Sequence, residues 1–515
     1  MASGSTSIIP SRPASYQALD TEERKGLLHA TDTDDPEDHP TLSKEDDYQP
    51  RFWSRRKTAV TALALIGLLI TGTFARTALF STQGPLQVPP YEGPIFSNGT
   101  ESFKRTVLLV SIDGLSADYL DRGLTPHLLA LSKKGLRAKA LKPIFPTLTF
   151  PNHWALMTGL YAESHGMVAN NFWDPVAQVE FHYNQVESVW NPSFWLGEPM
   201  WETAEKAGIV TANLMWPGPP KTTSGVSSTY FVPWKNKVPL KIKHNQIMQW
   251  IDLPFDKRPQ FIMAYEPSLD QAGHLKGPNS KLVNETLIYV DKFAKDIHDS
   301  LAVRNLTNIV DIVFVSDHGM TDTSHPEQVF INDILGKEGL EAIEHEDGWP
   351  AVGLRFRDGA NVTKHLSDLL EASYENSEKF SVYTHESMPE RYHFANHDRI
   401  APIYLVPEIG YVLTTNPDGD DPMSKGNHGY DNEERSMQAM FVAHGPFSTD
   451  AKAQHQSRSL VSRDADKGWL STSHDTYIMQ PFQNVEIYNL IMKLLGISEY
   501  AAPTNGTNGF WDQYL

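Results

Sequence analysis

Three apolar runs of strand length are each followed within a few residues by an aspartate, and this pattern limits the fold more than any other feature of the chain. Residues 106–112 lead to Asp113, residues 261–265 precede Asp270, and residues 309–315 lead to Asp317. Continuous apolar runs of this length are typical of parallel strands that are buried on both faces. Because ligands of such sheets bind beyond the carboxyl ends of the strands, the three aspartates are expected at one functional edge.

Helical patterns separate the predicted strands. Thr125 and Pro126 are the N-cap and the first residue of a predicted helix that Gly135 ends. The other predicted elements are helices over 200–206 and 485–495 and buried strands over 209–215 and 437–443. Apolar strands that alternate with helices predict an α/β fold, in which a mainly parallel sheet is sandwiched by helices. Residues 104–515 are long enough for one large catalytic domain of this kind.

Composition excludes several classes of protein. The 515 residues include 44 Lys and Arg against 63 Asp and Glu, which gives a net charge of −19. No specific nucleic-acid binding is expected from so acidic a chain, because neutralising the phosphates of a long nucleic acid requires Lys and Arg. A small anionic substrate remains compatible if metal ions reverse the local field. The lack of cysteine excludes disulfides, thiolate metal sites and a cysteine nucleophile.

The first 103 residues predict a membrane anchor. Residues 1–57 are poor in aliphatic side chains and predict a disordered tail that ends in a basic cluster. Residues 58–80 are long and apolar enough for one transmembrane helix, and the proline-rich residues 81–103 predict a stalk. Because the basic cluster precedes the span, the positive-inside rule predicts a cytosolic tail and a type II membrane protein. The catalytic domain is then expected outside the plasma membrane, or in the lumen of the secretory pathway or the vacuole.

Five Asn-x-Thr sequons support this orientation, because all of them follow the predicted span. Asparagines in such sequons accept N-glycans when they face the lumen or the exterior. The predicted glycosylation sites are Asn98, Asn284, Asn305, Asn361 and Asn505.

Aspartates and histidines predict two metal sites. Carboxylate oxygen and imidazole nitrogen are the ligands that zinc accepts when thiolates are absent. Asp270 and His274 lie four residues apart, and His428 would complete a three-ligand set with an open position. The second set of oxygen and nitrogen ligands consists of Asp113, Asp317 and His318.

Thr149 is the candidate nucleophile. The residues after it predict a helix that Gly159 ends, and Pro151 is tolerated in the first helical turn. Thr149 is therefore expected at a helix N-terminus, which favours a phosphate and a developing alkoxide. Direct metal coordination would activate its hydroxyl, so Thr149 is also a candidate ligand of the second metal. Asn170 would hold a phosphate oxygen beside the backbone N–H of Phe150.

Each of these features also has an ordinary structural explanation. A threonine before a helix is commonly an N-cap, and an aspartate after a strand is commonly a turn residue. Most of the 20 histidines are expected at the surface or in structural roles, among them His127, His153, His165 and His444. The candidate residues fall in six segments of the chain, at 111–114, 146–153, 166–170, 270–274, 316–320 and 426–431. Their recurrence favours the catalytic interpretation over separate coincidences.

Six motifs together resemble one known family. They are Ser-Ile-Asp-Gly at 111–114, Pro-Thr-Leu-Thr-Phe-Pro-Asn-His at 146–153, Thr-Gly-Leu-Tyr-Ala-Glu-Ser-His-Gly at 158–166, Ser-Asp-His-Gly-Met at 316–320, Ala-Asn-His-Asp-Arg-Ile-Ala-Pro at 395–402 and Asn-His-Gly-Tyr-Asp at 427–431. The chain resembles the nucleotide pyrophosphatase/phosphodiesterase family of the alkaline phosphatase superfamily. Its short, cysteine-free, type II form is most similar to fungal-type members.

The resemblance implies a fold, cofactors and site residues. The implied fold is an alkaline-phosphatase-like sheet with a smaller inserted subdomain at about residues 325–425. Two zinc ions are implied, one held by Asp270, His274 and His428, and the other held by Asp113, Thr149, Asp317 and His318. The resemblance also implies that Thr149 is the nucleophile, that Asn170 is its oxyanion partner, and that the substrate contacts are Phe150, Tyr265 and Trp234.

The expected activity is hydrolysis of nucleotide phosphodiester and pyrophosphate bonds through a threonine-linked intermediate, which releases nucleoside 5′-monophosphates. Two alternatives stay open: a lipid-headgroup phosphodiesterase that cleaves choline phosphodiesters on the same fold, and a membrane glycoprotein that keeps the fold without catalysis. A phosphomonoesterase is less expected, and a sulfatase is unsupported because no cysteine can form its aldehyde nucleophile. The preferred base, the final compartment and the oligomeric state do not follow from the sequence.

Overall fold

The computed structural model describes residues 93–415, 424–459, 467–473 and 476–515. The predicted tail over 1–57, the predicted span over 58–80 and the stalk as far as residue 92 lie outside these ranges. Across the described ranges, no helix combines the length and the apolar character needed to cross a membrane.

The strands of the described chain form one large sheet, a second smaller sheet and several two-stranded ribbons. They are β1 Ile95–Ser97, β2 Ser102–Lys104, β3 Thr106–Ile112, β4 Leu136–Ala138, β5 Leu141–Lys142, β6 Asn171–Asp174, β7 Val179–His182, β8 Thr211–Leu214, β9 Tyr230–Val232, β10 Phe261–Glu266, β11 Val310–Val315, β12 Thr321–Asp322, β13 Glu327–Phe330, β14 Ile343–Asp347, β15 Val352–Phe356, β16 Phe380–Thr384, β17 Ile403–Pro407, β18 Tyr411–Thr414, β19 Gly426–Asn427, β20 Phe441–His444, β21 Trp469–Ser473, β22 Thr476–Met479 and β23 Phe482–Gln483. The large sheet has the order β21-β22-β4-β20-β11-β3-β10-β8-β9.

The centre of the large sheet is parallel. β3 pairs in parallel with β10 and β11, and β8 and β9 continue the parallel arrangement beyond β10. β20 runs antiparallel to both β11 and β4, so the sheet is mixed rather than uniform in direction. The predicted strand over 437–443 begins later, at Phe441, because Arg435–Met437 forms a 3-10 turn.

The helices alternate with the strands, as the sequence predicts for an α/β fold. They are α1 Pro126–Lys134, α2 Thr149–Thr158, α3 Ala162–His165, α4 Val186–Val189, α5 Met200–Lys206, α6 Leu240–Ile251, α7 Ser268–Lys276, α8 Lys281–Val303, α9 Ile331–Ala342, α10 Val362–Glu375, α11 Pro446–Ser459 and α12 Glu486–Leu495. The predicted helix bounded by Thr125 and Gly135 is confirmed, with Pro126 as its first residue.

Helices cover both faces of the large sheet. Successive side chains of a strand point to opposite faces, and β3 shows the result because all seven of its residues are buried. Val107 and Leu109 belong to an apolar cluster that includes side chains of α2, α5 and α12. Leu108 and Val110 belong to a second cluster that includes side chains of α1, α6 and α8. This burial on both faces explains why residues 107–110 of β3 are continuously apolar, and it confirms an α/β sandwich.

Residues 327–414 contain the second, smaller sheet, in the part of the sequence where an inserted subdomain is predicted. Its four strands are antiparallel and have the order β14-β15-β17-β16. The strands share a separate apolar cluster with α9 and α10, to which Leu335 and Leu369 contribute. A parallel ribbon of β13 and β18 belongs to the same stretch of chain.

Candidate active site

The carboxyl ends of three neighbouring parallel strands bring the predicted aspartates together. β3 lies between β10 and β11, and the register aligns Ser111 with Tyr265 and with Val315. The three strands therefore end almost level, and Asp113 and Asp317 follow two of them. Asp270 lies on α7, which begins two residues after β10 ends. Carboxylate oxygens of Asp113 and Asp270 come within 4.8 Å of each other and of a ring nitrogen of His318.

Asp270, His274 and His428 form the first candidate metal set. Asp270 and His274 lie one turn apart on α7, and their Oδ1 and Nε2 atoms are 3.4 Å apart. His428 follows β19, and its Nε2 atom is 3.4 Å from Asp270 Oδ1 and 3.1 Å from His274 Nε2. All three ligand atoms lie within 4.8 Å of one another, so one ion between them would reach each of them.

Asp113, Asp317 and His318 form the second candidate set, and Thr149 lies beside it. His318 Nε2 is 3.0 Å from Asp317 Oδ2 and 3.4 Å from Asp113 Oδ1. The Thr149 hydroxyl oxygen is 3.2 Å from the same nitrogen. The rings of His318 and His428 stack at 3.5 Å between centroids, which places the two sets side by side.

Backbone carbonyls fix the orientation of all three predicted histidine ligands. Each histidine donates its Nδ1 hydrogen to a backbone carbonyl at 2.8–2.9 Å. The acceptor of His274 is Gly426, that of His318 is Gly319, and that of His428 is Thr147. In a neutral imidazole this assigns the hydrogen to Nδ1 and leaves the lone pair on Nε2. The Nε2 lone pairs of His274 and His428 then face each other across 3.1 Å. Two acceptors at that distance repel each other unless a cation lies between them.

Two buried carboxylates, those of Asp113 and Asp317, and the half-buried carboxylate of Asp270 face these nitrogens, each with an unsatisfied oxygen. Asp113 Oδ1, Asp270 Oδ1 and Asp317 Oδ2 accept no hydrogen bond within the described part of the chain. Burial, followed by the charges of Asp317 and Asp270, raises the pKa of Asp113 well above its ordinary value. Burial opposes ionisation of Asp317 as well, but the imidazoles of His318 and His153 outweigh it and hold the pKa of Asp317 well below its ordinary value.

Burial, and then the neighbouring histidines His318 and His274, also lower the pKa of His428 well below its ordinary value. A neutral imidazole is the form that coordinates a metal. Burial lowers the pKa of His318, but the Asp317 carboxylate outweighs it and raises that pKa above its ordinary value, so this imidazole would give up its proton when a metal binds. Orphaned carboxylate oxygens, the neutral imidazole of His428 and the inward-facing Nε2 atoms are together the donor set that a divalent cation such as zinc requires. The residues present therefore fit bound metal ions at both sets.

Thr149 is the first residue of α2 and is not its N-cap. The N-cap is Leu148, whose side chain caps nothing, so the simple capping explanation for Thr149 does not apply. The helix ends at Gly159, as predicted, where a φ of 67° favours glycine. The Thr149 hydroxyl lies at the positive end of this helix and is directed to His318.

Asn170 lies against the same helix start. Its Oδ1 accepts the backbone N–H of Phe150 at 3.0 Å, so its remaining amide hydrogens are the ones available to an incoming group. The geometry differs from the sequence-based expectation in one detail. The Phe150 N–H orients Asn170 instead of acting beside it as a second donor to phosphate.

The three predicted substrate contacts lie in different environments. Phe150 is half-buried on α2. Trp234 is 55% exposed, and its loop is tied to α7 by a 3.4 Å hydrogen bond between Asn236 and Gln271. Tyr265 is only 7% exposed, and its hydroxyl donates to Asp113 Oδ2 at 2.5 Å. Burial raises the pKa of Tyr265 well above its ordinary value. The structure therefore places Tyr265 as a support for the Asp113 carboxylate, not on the open face of the site.

Sequence reasoning missed several residues around Thr149. Phe150 packs edge-on against Phe181 and Tyr183 and at a tilt against Trp195, with ring centroids 5.8–5.9 Å apart. The dense aromatic content of residues 172–195 was the available signal for this wall. His153 was assigned a structural role, but it contacts both the start of α2 and Asp317. Its spacing of four residues from Thr149 was the available signal.

The predicted glycosylation sites all fall within the described chain. Asn305, Asn361 and Asn505 are exposed, whereas Asn98 and Asn284 are half-buried. Asn98 and Asn305 lie close together. The side-chain amide of Asn98 donates to the carbonyl of Arg304, and the side-chain amide of Asn305 donates to the carbonyl of Asn98.

The family of the chain follows from comparison with known proteins. Residues 107–431, more than half of the chain, match the family described as type I phosphodiesterase/nucleotide pyrophosphatase. The chain belongs to this family. It is accordingly a hydrolase of the nucleotide pyrophosphatase/phosphodiesterase type. The family assignment made from the six motifs is confirmed.

Two curated members of the family illustrate the extent of the similarity. An uncharacterized pyrophosphatase/phosphodiesterase of Schizosaccharomyces pombe is 35% identical over 463 residues, which are 88% of this chain and 89% of that protein. Human ectonucleotide pyrophosphatase/phosphodiesterase family member 1 is 34% identical over 417 residues, which are 79% of this chain and 41% of that protein. The chain thus spans most of the yeast relative but less than half of the human one.

Solved structures of the family have the same fold. Murine ectonucleotide pyrophosphatase/phosphodiesterase 5, in an inactive threonine-to-alanine form in complex with AMP, superposes with a TM-score of 0.69 and 28% sequence identity. The similarity covers 80% of this chain and the whole of the murine one. The human form of the same protein superposes with a TM-score of 0.67.

Proposed function

We propose that this family member hydrolyses nucleotide phosphodiester and pyrophosphate bonds and releases nucleoside 5′-monophosphates. The observation that carries the proposal is the position of the Thr149 hydroxyl, at the start of α2 and 3.2 Å from His318 Nε2, beside two sets of inward-facing carboxylates and imidazoles. The AMP bound to the murine relative supports a nucleotide as the substrate.

Both metal sets would hold zinc. Asp270, His274 and His428 would hold one ion, and Asp113, Thr149, Asp317 and His318 would hold the other. Mixed carboxylate and imidazole ligands favour zinc over magnesium or calcium, which prefer oxygen alone. When bound, the two ions neutralise phosphate charge and lower the pKa of a coordinated hydroxyl.

In the proposed reaction, three kinds of group act in turn: the Thr149 hydroxyl, the Asn170 amide and a water molecule. Thr149 Oγ1 would attack phosphorus and its hydroxyl proton would pass to solvent, while the bond to the leaving oxygen breaks and the leaving group departs into solvent as the first product. Asn170 donates its free amide hydrogen to a non-bridging phosphate oxygen, where negative charge develops. Water then displaces the nucleotidyl group from Thr149, which restores the hydroxyl and releases the 5′-monophosphate. Phe150 and Trp234 would pack against the nucleoside.

Substitution of Thr149 tests this proposal. Thr149→Ala removes the nucleophile and should lower kcat for a p-nitrophenyl nucleotide diester by at least about a thousandfold. Thr149→Ser keeps the hydroxyl and should retain measurable turnover. Thr125→Ala is the control, because Thr125 is a threonine at the start of another helix, where it is the N-cap residue of α1. Normal turnover by Thr149→Ala would refute the threonine mechanism.

A comparison of kcat/KM for three p-nitrophenyl substrates separates the proposed function from a phosphomonoesterase, a lipid-headgroup phosphodiesterase and a non-catalytic glycoprotein. The purified catalytic protein should hydrolyse the nucleotide diester at least about a hundredfold faster, as kcat/KM, than p-nitrophenyl phosphate or p-nitrophenyl phosphorylcholine, a gap of about 2.7 kcal/mol. A diester offers a nucleoside for the aromatic side chains to bind, and that binding energy can lower the barrier. Faster cleavage of the choline ester would favour a lipid-headgroup enzyme, and no turnover at all would favour a non-catalytic glycoprotein.

We also propose that the catalytic domain faces the exterior or the lumen. The basic cluster before residues 58–80 and the five sequons after them support this orientation. Glycosidase treatment should increase electrophoretic mobility, and protease added to sealed microsomes should remove only the N-terminal tail. Digestion of the main domain with protection of the tail would reverse the assigned orientation.

A further inference from the structure

A buried histidine lies directly beneath the candidate nucleophile. His153 lies on α2, four residues after Thr149, and none of its surface is exposed. Its ring packs edge-on against Tyr265, at 4.9 Å between centroids, and against Trp216, at 5.3 Å. Substrate therefore has no access to His153, and any effect it has on the reaction must be exerted through its neighbours.

The two ring nitrogens of His153 reach three different elements. Nδ1 is 2.9 Å from the carbonyl oxygen of Thr149 and 3.2 Å from Asp317 Oδ2. Nε2 is 2.9 Å from the hydroxyl of Ser111, which lies on β3 two residues before Asp113. One imidazole thus joins the start of α2, the segment after β11 and the end of β3.

These contacts assign the hydrogen of the ring. Both neighbours of Nδ1 are acceptors, so Nδ1 carries the hydrogen and donates it. Nε2 then accepts the hydroxyl hydrogen of Ser111. The ligand atoms of Asp113, His153 and Asp317 are close enough to one another for a metal ion. His153 is nevertheless unsuited as a ligand, because its protonated nitrogen faces the carboxylate and its lone pair faces Ser111.

We infer that His153 is a positioning residue that sets the Thr149 hydroxyl relative to the second metal set. This inference rests on the proposed function. By donating its Nδ1 hydrogen to the Thr149 carbonyl while the same nitrogen lies 3.2 Å from the Asp317 carboxylate, His153 fixes the nucleophile-bearing turn against a candidate metal ligand. Through Ser111, it also ties that turn to the strand that presents Asp113. Substitution of residues that support metal ligands in this way typically lowers metal affinity or activity by about 10–100-fold.

Two isosteric substitutions separate the roles of the two nitrogens. The amide nitrogen of His153→Asn lies near the position of Nδ1, so it keeps a donor to the Thr149 carbonyl beside the Asp317 carboxylate. The amide of His153→Gln extends towards the position of Nε2 and keeps only a partner for Ser111. His244→Asn is the matched control, because His244 is also buried and pairs with a serine hydroxyl, that of Ser300 at 2.8 Å, on α6 and α8.

Turnover and zinc affinity are both measured on the full-length protein in detergent. We expect His153→Gln to lower kcat about 10–100-fold with KM changed less than about threefold, and His153→Asn to lose less than His153→Gln. In titrations of chelator-stripped protein with zinc against a chromophoric competitor, one of the two equivalents should weaken at least about tenfold in His153→Gln. His244→Asn should keep both zinc affinities and kcat per folded molecule at the wild-type level.

Several results would overturn the inference. Equal kcat and zinc affinity in His153→Gln and His244→Asn would show that His153 contributes only packing. A larger loss of kcat in His153→Asn than in His153→Gln would show that Nε2, and not Nδ1, makes the contact that positions Thr149. If neither His153 variant folds, Ser111→Ala decides: wild-type kcat and zinc affinity refute the inference, and a loss of at least about threefold in both supports it.

Failure of the proposed function gives a different result. A wild-type protein that binds two zinc equivalents but cleaves no nucleotide diester refutes that function, while the zinc titration still tests His153. Fewer than two equivalents in the wild type would overturn both proposals.

Discussion

A buried ion pair at the start of α7, the helix that carries Asp270 and His274, gives a prediction for the free energy of unfolding. Lys243 of α6 and Glu266, the last residue of β10, are 2.8 Å apart, and their side chains are only 3% and 4% exposed. Lys243 also donates to the carbonyl of Tyr265, and Glu266 accepts the backbone N–H of Ser268 at the first residue of α7. Each charge is therefore shielded from water and compensated mainly by the other.

Replacing one partner leaves the other charge buried and alone. Lys243→Met keeps the length and the apolar stem of the side chain, so it isolates the loss of charge from a loss of packing. Breaking a buried pair in this way typically costs about 3–5 kcal/mol, whereas replacing both partners costs much less. We therefore expect Lys243→Met to lower the free energy of unfolding by about 3–5 kcal/mol. Adding Glu266→Gln should restore part of it, with a coupling energy of about 2 kcal/mol.

Urea unfolding of the single and double variants, followed by tryptophan fluorescence, measures these energies. Lys292→Met is the control, because Lys292 pairs with Asp296 on the exposed side of α8, where its side chain is 64% exposed. A surface pair of this kind contributes at most about 1 kcal/mol. A cost below about 1 kcal/mol for Lys243→Met, or strictly additive single substitutions, would show that the buried charges are solvated in a way that the structure does not contain.

Three further predictions concern metal, pH and substrate. Exhaustive chelation should abolish hydrolysis of the nucleotide diester and zinc should restore it, as followed by metal analysis and initial rates, so full activity of metal-free protein would end the two-metal mechanism. Burial raises the pKa of Asp347 to about 6 from 3.8, so the folded state disfavours ionisation of this carboxyl. The free energy of unfolding of wild type, relative to that of Asp347→Asn, should therefore fall by about 2 kcal/mol as the pH rises from about 4 to about 7 in urea titrations, and a constant difference would contradict this. Trp234→Ala should raise KM for the nucleotide diester several-fold with little change in kcat or melting temperature, because the side chain is 55% exposed, and an unchanged KM would place Trp234 outside the substrate site.

The strand pattern was sufficient to predict where the candidate site lies. Residues 106–112 and 310–315 are buried on both faces of the sheet. Their largely apolar sequence therefore predicts strands even though polar and apolar residues do not alternate along it. Their carboxyl ends then had to lie at one edge because the strands are parallel neighbours. The helix from Thr149 to Gly159 was likewise readable from its local sequence, since proline and glycine mark its ends.

The supporting residues of the site could not be predicted in the same way, because their roles depend on contacts between distant segments. Tyr265 was expected to touch substrate, but the pairing of β10 with β3 places its hydroxyl on Asp113. Lys243 and Glu266 are separated by a loop and a strand, and nothing local marks them as partners. The three Nδ1 contacts to backbone carbonyls are equally invisible in a sequence.

Charge explains why this arrangement suits a diester. The carboxylates of Asp113, Asp270 and Asp317 converge in a chain that already carries a net charge of −19. The buried cation nearest in sequence to the start of α7, Lys243, is committed to Glu266 and cannot also bind phosphate. Asn170 is a neutral donor, and Phe150 contributes an apolar ring. Under the proposed two-metal function, bound ions would supply the positive charge at the phosphate, and a substrate with one charge fewer and a nucleoside to bury is the one that such a site would favour.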